Sequence, residues 1–270
     1  MKHRVVVIAF LAVAMAAPIL SLAGDDKKTD PQTTQSTMGQ QQATTDDQIK
    51  QNDEPKRLSK SAEVIRDFAT MKEGPPRELV NKAAAVVIIP DLMKAGLGVG
   101  GKHGEGVLSK KIGDSWSEPV YVKLTGGSVG FQAGVSSTDL VLLFMRERDV
   151  PELIDGEFTL GGDAAVAAGP LGRQGTAGTD AHFDAPIYSY SRSKGLFAGI
   201  SVDGSKLYLD KDAMARAYTG SVKASELILK SPAPGTPGAE LVTALQQLVK
   251  GQTPTETGST DESSTNVGKK

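Results

Sequence analysis

Gly126-Gly127-Ser128-Val129-Gly130 is the segment of this chain that comes nearest to a catalytic signature. It matches G-x-S-x-G, in which a serine on a sharp strand-to-helix turn becomes a nucleophile served by an acid and a histidine further along. Asp163 and His182 occur later in the required order. The residues after Ser128 read as strand, however, so the elbow lacks the helix that would expose its hydroxyl. A serine hydrolase using Ser128 and His182 therefore stands as an alternative. Gly96, Gly98 and Gly101 spell G-x-G-x-x-G, and Gly96 to Lys102 approaches a phosphate-binding loop. Both motifs need a helix N-terminus directly afterwards to hold phosphate. The next residues, Lys102-His103-Gly104-Glu105-Gly106, are too rich in glycine for a helix, and His103 stands where a magnesium-binding hydroxyl belongs.

Metal chemistry has equally thin support. Beyond the leader, His103 and His182 are the only histidines, and Asp180 and Asp184 beside His182 do not complete a zinc set. The chain has no cysteine, which removes disulfides, thiol catalysis and a lipid-modified N-terminus. No catalytic residue, metal or cofactor is expected. The remaining chemistry is cationic. Lys94, Lys102, Lys110, Lys111, Arg146, Arg148, Arg173, Arg192 and Lys194 gather at expected strand ends and turns, where several could meet anionic groups. Asp114, Glu118 and Glu147 interrupt them.

These residues need a scaffold, and the periodicities describe one. Pro55 to Lys72 has Leu58, Ala62, Ile65, Phe68 and Ala69 on one helical stripe, with Lys56, Arg57, Lys60 and Arg66 opposite, and Gly74-Pro75-Pro76 ends it. Ala83 to Ile89 is a β-branched apolar run closed by Pro90, as in a strand buried on both faces. Further strands are predicted at 106–108, 120–124, 129–135, 139–145, 158–160 and 185–192. Ser136-Ser137-Thr138 is read as a break between two of these strands, and Asp203-Gly204 as the turn of a hairpin. Trp116 is expected to anchor packing with its indole N–H near the surface. Short helices are predicted at 150–156, 210–218, 222–229 and 239–250. Strands with glycine turns bracketed by helices predict an α+β fold, a curved, largely antiparallel sheet or barrel-like core with an N-terminal amphipathic helix and C-terminal helices.

The ends read differently. Residues 1–23 have a basic start at Lys2 and Arg4, an apolar run from Val5 to Ala17 and small residues before Ala23, the pattern of a cleaved export signal. Residues 24–54 and 251–270 are polar and are expected to be disordered. Loss of Lys2 and Arg4 lowers the 30 basic residues to 28 against 32 acidic, a net charge near −4, which is not the balance of a nucleic-acid binder.

Taken in order, LSKSAEVIRDF, AAAVVIIPDLMKAGLGVGGKHGEGVL, WSEPVYVKLTGGSVGFQAGVSSTDLVLLFM, LGGDAAVAAGPLGR, IYSYSRSKGLFAGISVDGSKL and AYTG resemble the SYLF lipid-binding domain family over about Leu58 to Leu229. The resemblance implies a non-enzymatic domain at 55–230, followed by a helix at 231–250, that binds membrane lipid, with phosphoinositides the ligands of eukaryotic members. Those members also act in cortical actin assembly, and an N-terminal amphipathic helix adds to membrane contact. An exported chain would be periplasmic or secreted and would not meet actin, so anionic lipid is the part carried over. On that basis Arg57, Lys60, Arg66, Lys102, Arg192 and Lys194 are the expected head-group contacts, and an envelope protein is the other expected partner. An envelope structural or protein-interaction module is the second reading.

Overall fold

The computed structural model describes residues 53–72, 74–97, 99–129, 134–170, 184–197, 200–218 and 222–251, with backbone only at 128 and 129. Helix α1 (Asp53–Thr70) begins with acids in its first turn, where the helix dipole favours them. Its buried side includes the predicted Leu58, Ala62, Ile65 and Phe68, and also Glu54, Arg57 and Ser61. The polar side is thus narrower than its periodicity implied, and Arg57 lies on the buried side. The reason is that Arg57 meets Glu105 and Asp210, and Glu54 meets Arg216, all far along the chain. Helix α6 (Pro237–Lys250) packs along α1, which in turn lies on the sheet. Thr236 caps α6 by accepting from the Ala239 amide, Pro237 opens it, and Gly251 closes it in the left-handed conformation. A short helix, α2 (Arg77–Lys82), joins α1 to the sheet.

Strand β1 (Ala85–Leu97) does not stop at Pro90 as predicted. Ile88 pairs with Val107 and Met93 with His103, so β1 spends one residue more than its neighbour across this stretch. The extra residue makes a bulge, the one place where a central strand tolerates proline. Asp91 takes φ 53° there, and its amide donates to Asp139 Oδ1 at 3.1 Å. β2 (Val99–Ile112) returns along β1, and β3 (Ser115–Trp116) folds back on β2. β4 (Val120–Val129) lies on the other side of β2, and β5 (Gly134–Phe144) on the other side of β1. Ser136 to Thr138 fall inside β5 and do not interrupt it, because each pairs across to β1.

After α3 (Asp149–Asp155) come β6 (Glu157–Thr159), β7 (Val166–Ala168), β8 (Ile187–Ser193), β9 (Leu196–Phe197) and β10 (Lys206–Leu209), then α4 (Lys211–Ala217) and α5 (Ala224–Leu227). The sheet order is β6-β10-β4-β2-β1-β5-β8-β7, antiparallel except for the β7–β8 pair. It curls strongly into a half-barrel with helices at both ends. β5 and β6 stand five positions apart in this order, about 24 Å in a flat sheet at the usual strand spacing. Yet the rings of Phe144 and Phe158 meet edge-on with centroids 5.6 Å apart. The expected α+β fold on a curved, largely antiparallel sheet is the one observed. Ile88, Ile89, Leu92, Leu108, Val122, Leu124, Leu140, Leu142 and Phe144 are all fully buried in its core.

Two local expectations fail. Trp116 has no exposed surface and its Nε1 finds no partner among the described residues, so its indole is a core group with Lys111 Nζ 4.8 Å from the ring centre. Asp203-Gly204 does not join a hairpin. The Gly204 amide donates to Leu160 O and the Leu160 amide to Ser205 O, while β10 pairs with β4 and β6. The tight hairpin lies earlier, at Lys194-Gly195 between β8 and β9. Both residues have positive φ there, 50° and 77°, the requirement of a type I′ turn.

Candidate functional site

The expected head-group contacts fall into two environments. Arg57 lies under α1 and donates from Nη1 to Asp210 Oδ2 at 3.0 Å and from Nη2 to Glu105, with its guanidinium 5.4 Å from the Tyr121 ring centre. Lys123 Nζ meets the other oxygen of Asp210 at 3.0 Å. Burial alone would push the Asp210 carboxyl up. The Ala213 amide, Arg57 and Lys123 all stabilise its anion and hold it below the ordinary aspartate value. Lys60 Nζ donates to Asp91 Oδ2 at 2.7 Å, and Ser137 Oγ donates to Asp91 Oδ1 at 3.2 Å. Arg66 pairs with Glu240 of α6 at 2.7 Å. Arg192 pairs with Asp139 at 2.6 Å and with Asp67 of α1 at 2.5 Å. Each of these four cations is thus neutralised by a carboxylate, and together they clasp α1 between the sheet and α6.

Along the same helix runs a groove of about 350 Å³. Lys56, Arg57 and Lys60 face it from α1, and Met93, His103 and Glu105 from the sheet. Lys56 is exposed at its rim.

Lys102 and Lys194 behave differently. Lys102 neighbours His103 in β2 and so points to the opposite face of the sheet. It is 6% exposed and its Nζ donates to Ser201 O at 2.9 Å. Burial, with Lys94 nearby, pushes its amine down from the usual lysine value. Lys94 pairs opposite Lys102 across β1 and β2 and is likewise pushed down by burial. Lys194 is exposed at the type I′ turn. No carboxylate among the described residues forms an ion pair with Lys94, Lys102 or Lys194.

These lysines mark one end of the sheet, where periodicity gave no warning of what accompanies them. Beyond the Asp91 bulge, β1 and β2 run on together to the Leu97–Val99 pair, and Val135 of β5 pairs with Ala95. The β8–β9 turn stands beside the start of β5, where Ser193 Oγ donates to Ser137 O at 3.1 Å. Leu97 is 80% exposed, Val99 75%, Leu196 73%, Val135 68% and Met93 44%. The hairpin end is thin because glycines face one another across it. A Cβ placed on Gly96 would lie 2.5 Å from Gly100 Cα, so neither position accepts a side chain without the strands parting. The one hint in the sequence was the interleaving of single apolar residues with glycine in Ala95-Gly96-Leu97-Gly98-Val99-Gly100.

The catalytic alternatives can be placed in part. Ser128 stands in β4 opposite Gly100, within a strand. His182, its expected base, lies outside the described residues, as do Asp180 and Arg173. Gly101 and the residues after it belong to strand β2, so the glycine motif leads into no helix. Among the described residues no cluster of His, Asp and Glu is fit to hold a metal ion, and no helix is long and apolar enough to cross a membrane.

Residues 125–249, from β4 to α6, match the Ysc84 family, described as "Las17-binding protein actin regulator". The chain is similar to the SH3 domain-containing protein PJ696.02 of Schizosaccharomyces pombe, with 39% identity over 57% of this chain and 36% of that protein. It is similar to the SH3 domain-containing YSC84-like protein 1 of Homo sapiens, with 32% identity over 63% of this chain and 52% of that protein. Protein YSC84 of Saccharomyces cerevisiae is 34% identical over 67% of this chain and 40% of its own length. The chain spans about half or less of these relatives. The stretch from β4 to α6 therefore matches the Ysc84 family, the SYLF family that the sequence motifs resemble.

Proposed function

We propose that this domain is a non-enzymatic module that binds an anionic lipid surface, in a chain that works outside the cytoplasm once residues 1–23 are removed. The observation that carries this reading is the contrast among the cations. Arg57, Lys60, Arg66 and Arg192 are matched by carboxylates, whereas Lys94, Lys102 and Lys194 share one sheet end with no carboxylate paired to them among the described residues. Lys194 and the partly exposed Lys94 would each gain about 1 kcal/mol near an anionic membrane and lose it to salt, whereas the buried Lys102 would first have to leave Ser201 O. Arg57, Lys60, Arg66 and Arg192 would reach head groups only by exchanging their carboxylate partners. The family description names an actin regulator, which supports a docking role here and not a chemical one.

The test is co-sedimentation of the chain from residue 24 onward with phosphatidylcholine vesicles, with and without phosphatidylglycerol, at low and high salt. Binding that needs the anionic lipid and weakens with salt is expected. Absence of binding across several anionic head groups at low salt overturns the reading.

A second reading, an envelope protein-interaction module, draws on a different surface. Ile154, Leu209, Met214 and Val222 line a groove of about 500 Å³ between α3, α4 and α5. Cross-linked pull-down that depends on Met214, together with vesicle binding indifferent to charge reversal at Lys194, would favour it.

A further inference from the structure

We infer that the exposed strand ends themselves enter the bilayer: Leu97 and Val99 at the β1–β2 reversal, Val135 at the start of β5 and Leu196 after the β8–β9 turn form a wedge that reaches the acyl chains, while α1 stays docked on the sheet. The inference rests on the lipid-surface reading above and adds which element penetrates.

The first support is where the apolar surface lies. Of the large apolar side chains left exposed, those four and Met93 belong to strands β1, β2, β5 and the β8–β9 hairpin, which neighbour one another and turn or begin at the same end of the sheet, the β8–β9 turn level with Met93 and the β1–β2 reversal farther out. Contiguous exposed apolar groups on one end of a domain mark a contact surface, whereas single ones do not.

The second support is charge. The stretches 93–97, 99–102, 134–136 and 193–197 contain Lys94, Lys102 and Lys194 and no acid. An apolar tip flanked by Lys94 and Lys194 complements a layer of anionic head groups over hydrocarbon, because lysine stems lie along the apolar surface while the ammonium stays at head-group level. A protein groove would present carboxylates without a hydrocarbon layer beneath them.

The third support is rigidity. The reversal at Lys194-Gly195 is fixed as a type I′ turn, and the β1–β2 end is a thin glycine-packed ribbon. These tips therefore insert without ordering a flexible loop. The amphipathic helix makes the poorer insert. Leu58, Ile65 and Phe68 are 5%, 0% and 1% exposed between the sheet and α6. Freeing them would also part Arg57 from Asp210, Arg216 from Glu54 and Arg192 from Asp67.

The decisive measurement uses the chain from residue 24 onward, with Leu97→Trp as the probe. The native Trp116 is fully buried, so quenching by lipids brominated on their acyl chains reports position 97. In phosphatidylcholine–phosphatidylglycerol vesicles, Leu97→Trp is expected to be quenched, and Glu63→Trp, on the exposed side of α1, is not. The paired Leu97→Asp and Val99→Asp variant is expected to lose roughly tenfold or more of the vesicle affinity, since each loses apolar area that would leave water. Its circular dichroism and melting point should stay those of the parent. Wild-type binding with no quenching at position 97 and full binding by the double variant overturns the inference and leaves the lipid reading intact. No binding by the wild type removes both. A wild-type dimer that the double variant converts to monomer, with vesicle binding unchanged, assigns the tips to a second copy of the chain and also overturns it.

Discussion

Strand β1 has two halves that share one backbone and little else. From Ala85 to Ile89 it is entirely buried, closed in by strands on both sides and by α1 above. From Met93 to Leu97 it carries exposed apolar groups, of which Met93 still faces the groove beside α1. The bulge at Asp91 separates the halves. It bends the strand, and its carboxylate takes the ammonium of Lys60 at the edge of the clasp. Before the bulge, chemistry serves the fold: hydrophobic burial and matched ions hold α1 in place. After it Leu92 still packs inside, but from Met93 on the apolar side chains of β1 face out of the core. Polar or apolar groups that a fold leaves unmatched are where a partner gains most, which is why the candidate surface lies past the bulge and not on the helix.

That comparison can be broken from either side. The largest effect is expected at the clasp. Asp210→Ala strips Arg57 and Lys123 of a buried carboxylate and α4 of its cap, and should cost about 3–5 kcal/mol in denaturant unfolding. Asp210→Asn, which keeps a cap acceptor, should cost less. Phe68→Ala should lose about 3–5 kcal/mol through the cavity it opens under α1. In the same assay Leu97→Ala should stay within about 0.5 kcal/mol of the parent, because that side chain already lies in water. Equal losses at 68 and 97 would erase the distinction between the two regions.

Acid should act on the clasp first. The Asp210 carboxyl is held below its ordinary value of 3.8 by the Ala213 amide, Arg57 and Lys123 acting against burial. A group depressed on folding lends stability that is complete above its unfolded value and is lost as pH falls through the folded one. A melting-point series should therefore hold level down to about pH 4 and fall below it. In Asp210→Asn that fall should be shallower. A small effect is also expected at the margin of the two regions. Lys60 and Asp91 are about half exposed, so Lys60→Ala should cost only about 0–1 kcal/mol.

Much of the architecture is legible locally, and the errors are instructive. The stripe on α1 can be read because an amphipathic helix writes its buried face into its own spacing. Pro90 signals a strand end because proline cannot donate to a ladder, and the bulge that accommodates it depends on β2 and β5. Asp203-Gly204 carries the stronger turn signal by composition, yet Leu160 captures its neighbouring backbone, and the hairpin forms at Lys194-Gly195, where lysine is an improbable residue for positive φ. The indole N–H of Trp116 reads as near the surface because nothing nearby announces that α6 packs against β3.

The cations show the same limit most clearly. Their positions are visible in the sequence, but their partners lie far along the chain: Arg57 meets Asp210, and Arg66 meets Glu240. Residue order alone determined the elements, the strand-rich middle between helices, and the family kinship, because propensity, periodicity and motif are local properties. Which lysines stay unmatched, and which apolar tips protrude, was decided only when the sheet curled and α6 closed over α1. Charge pairing and exposure are properties of distance in space, and sequence separation says little about that.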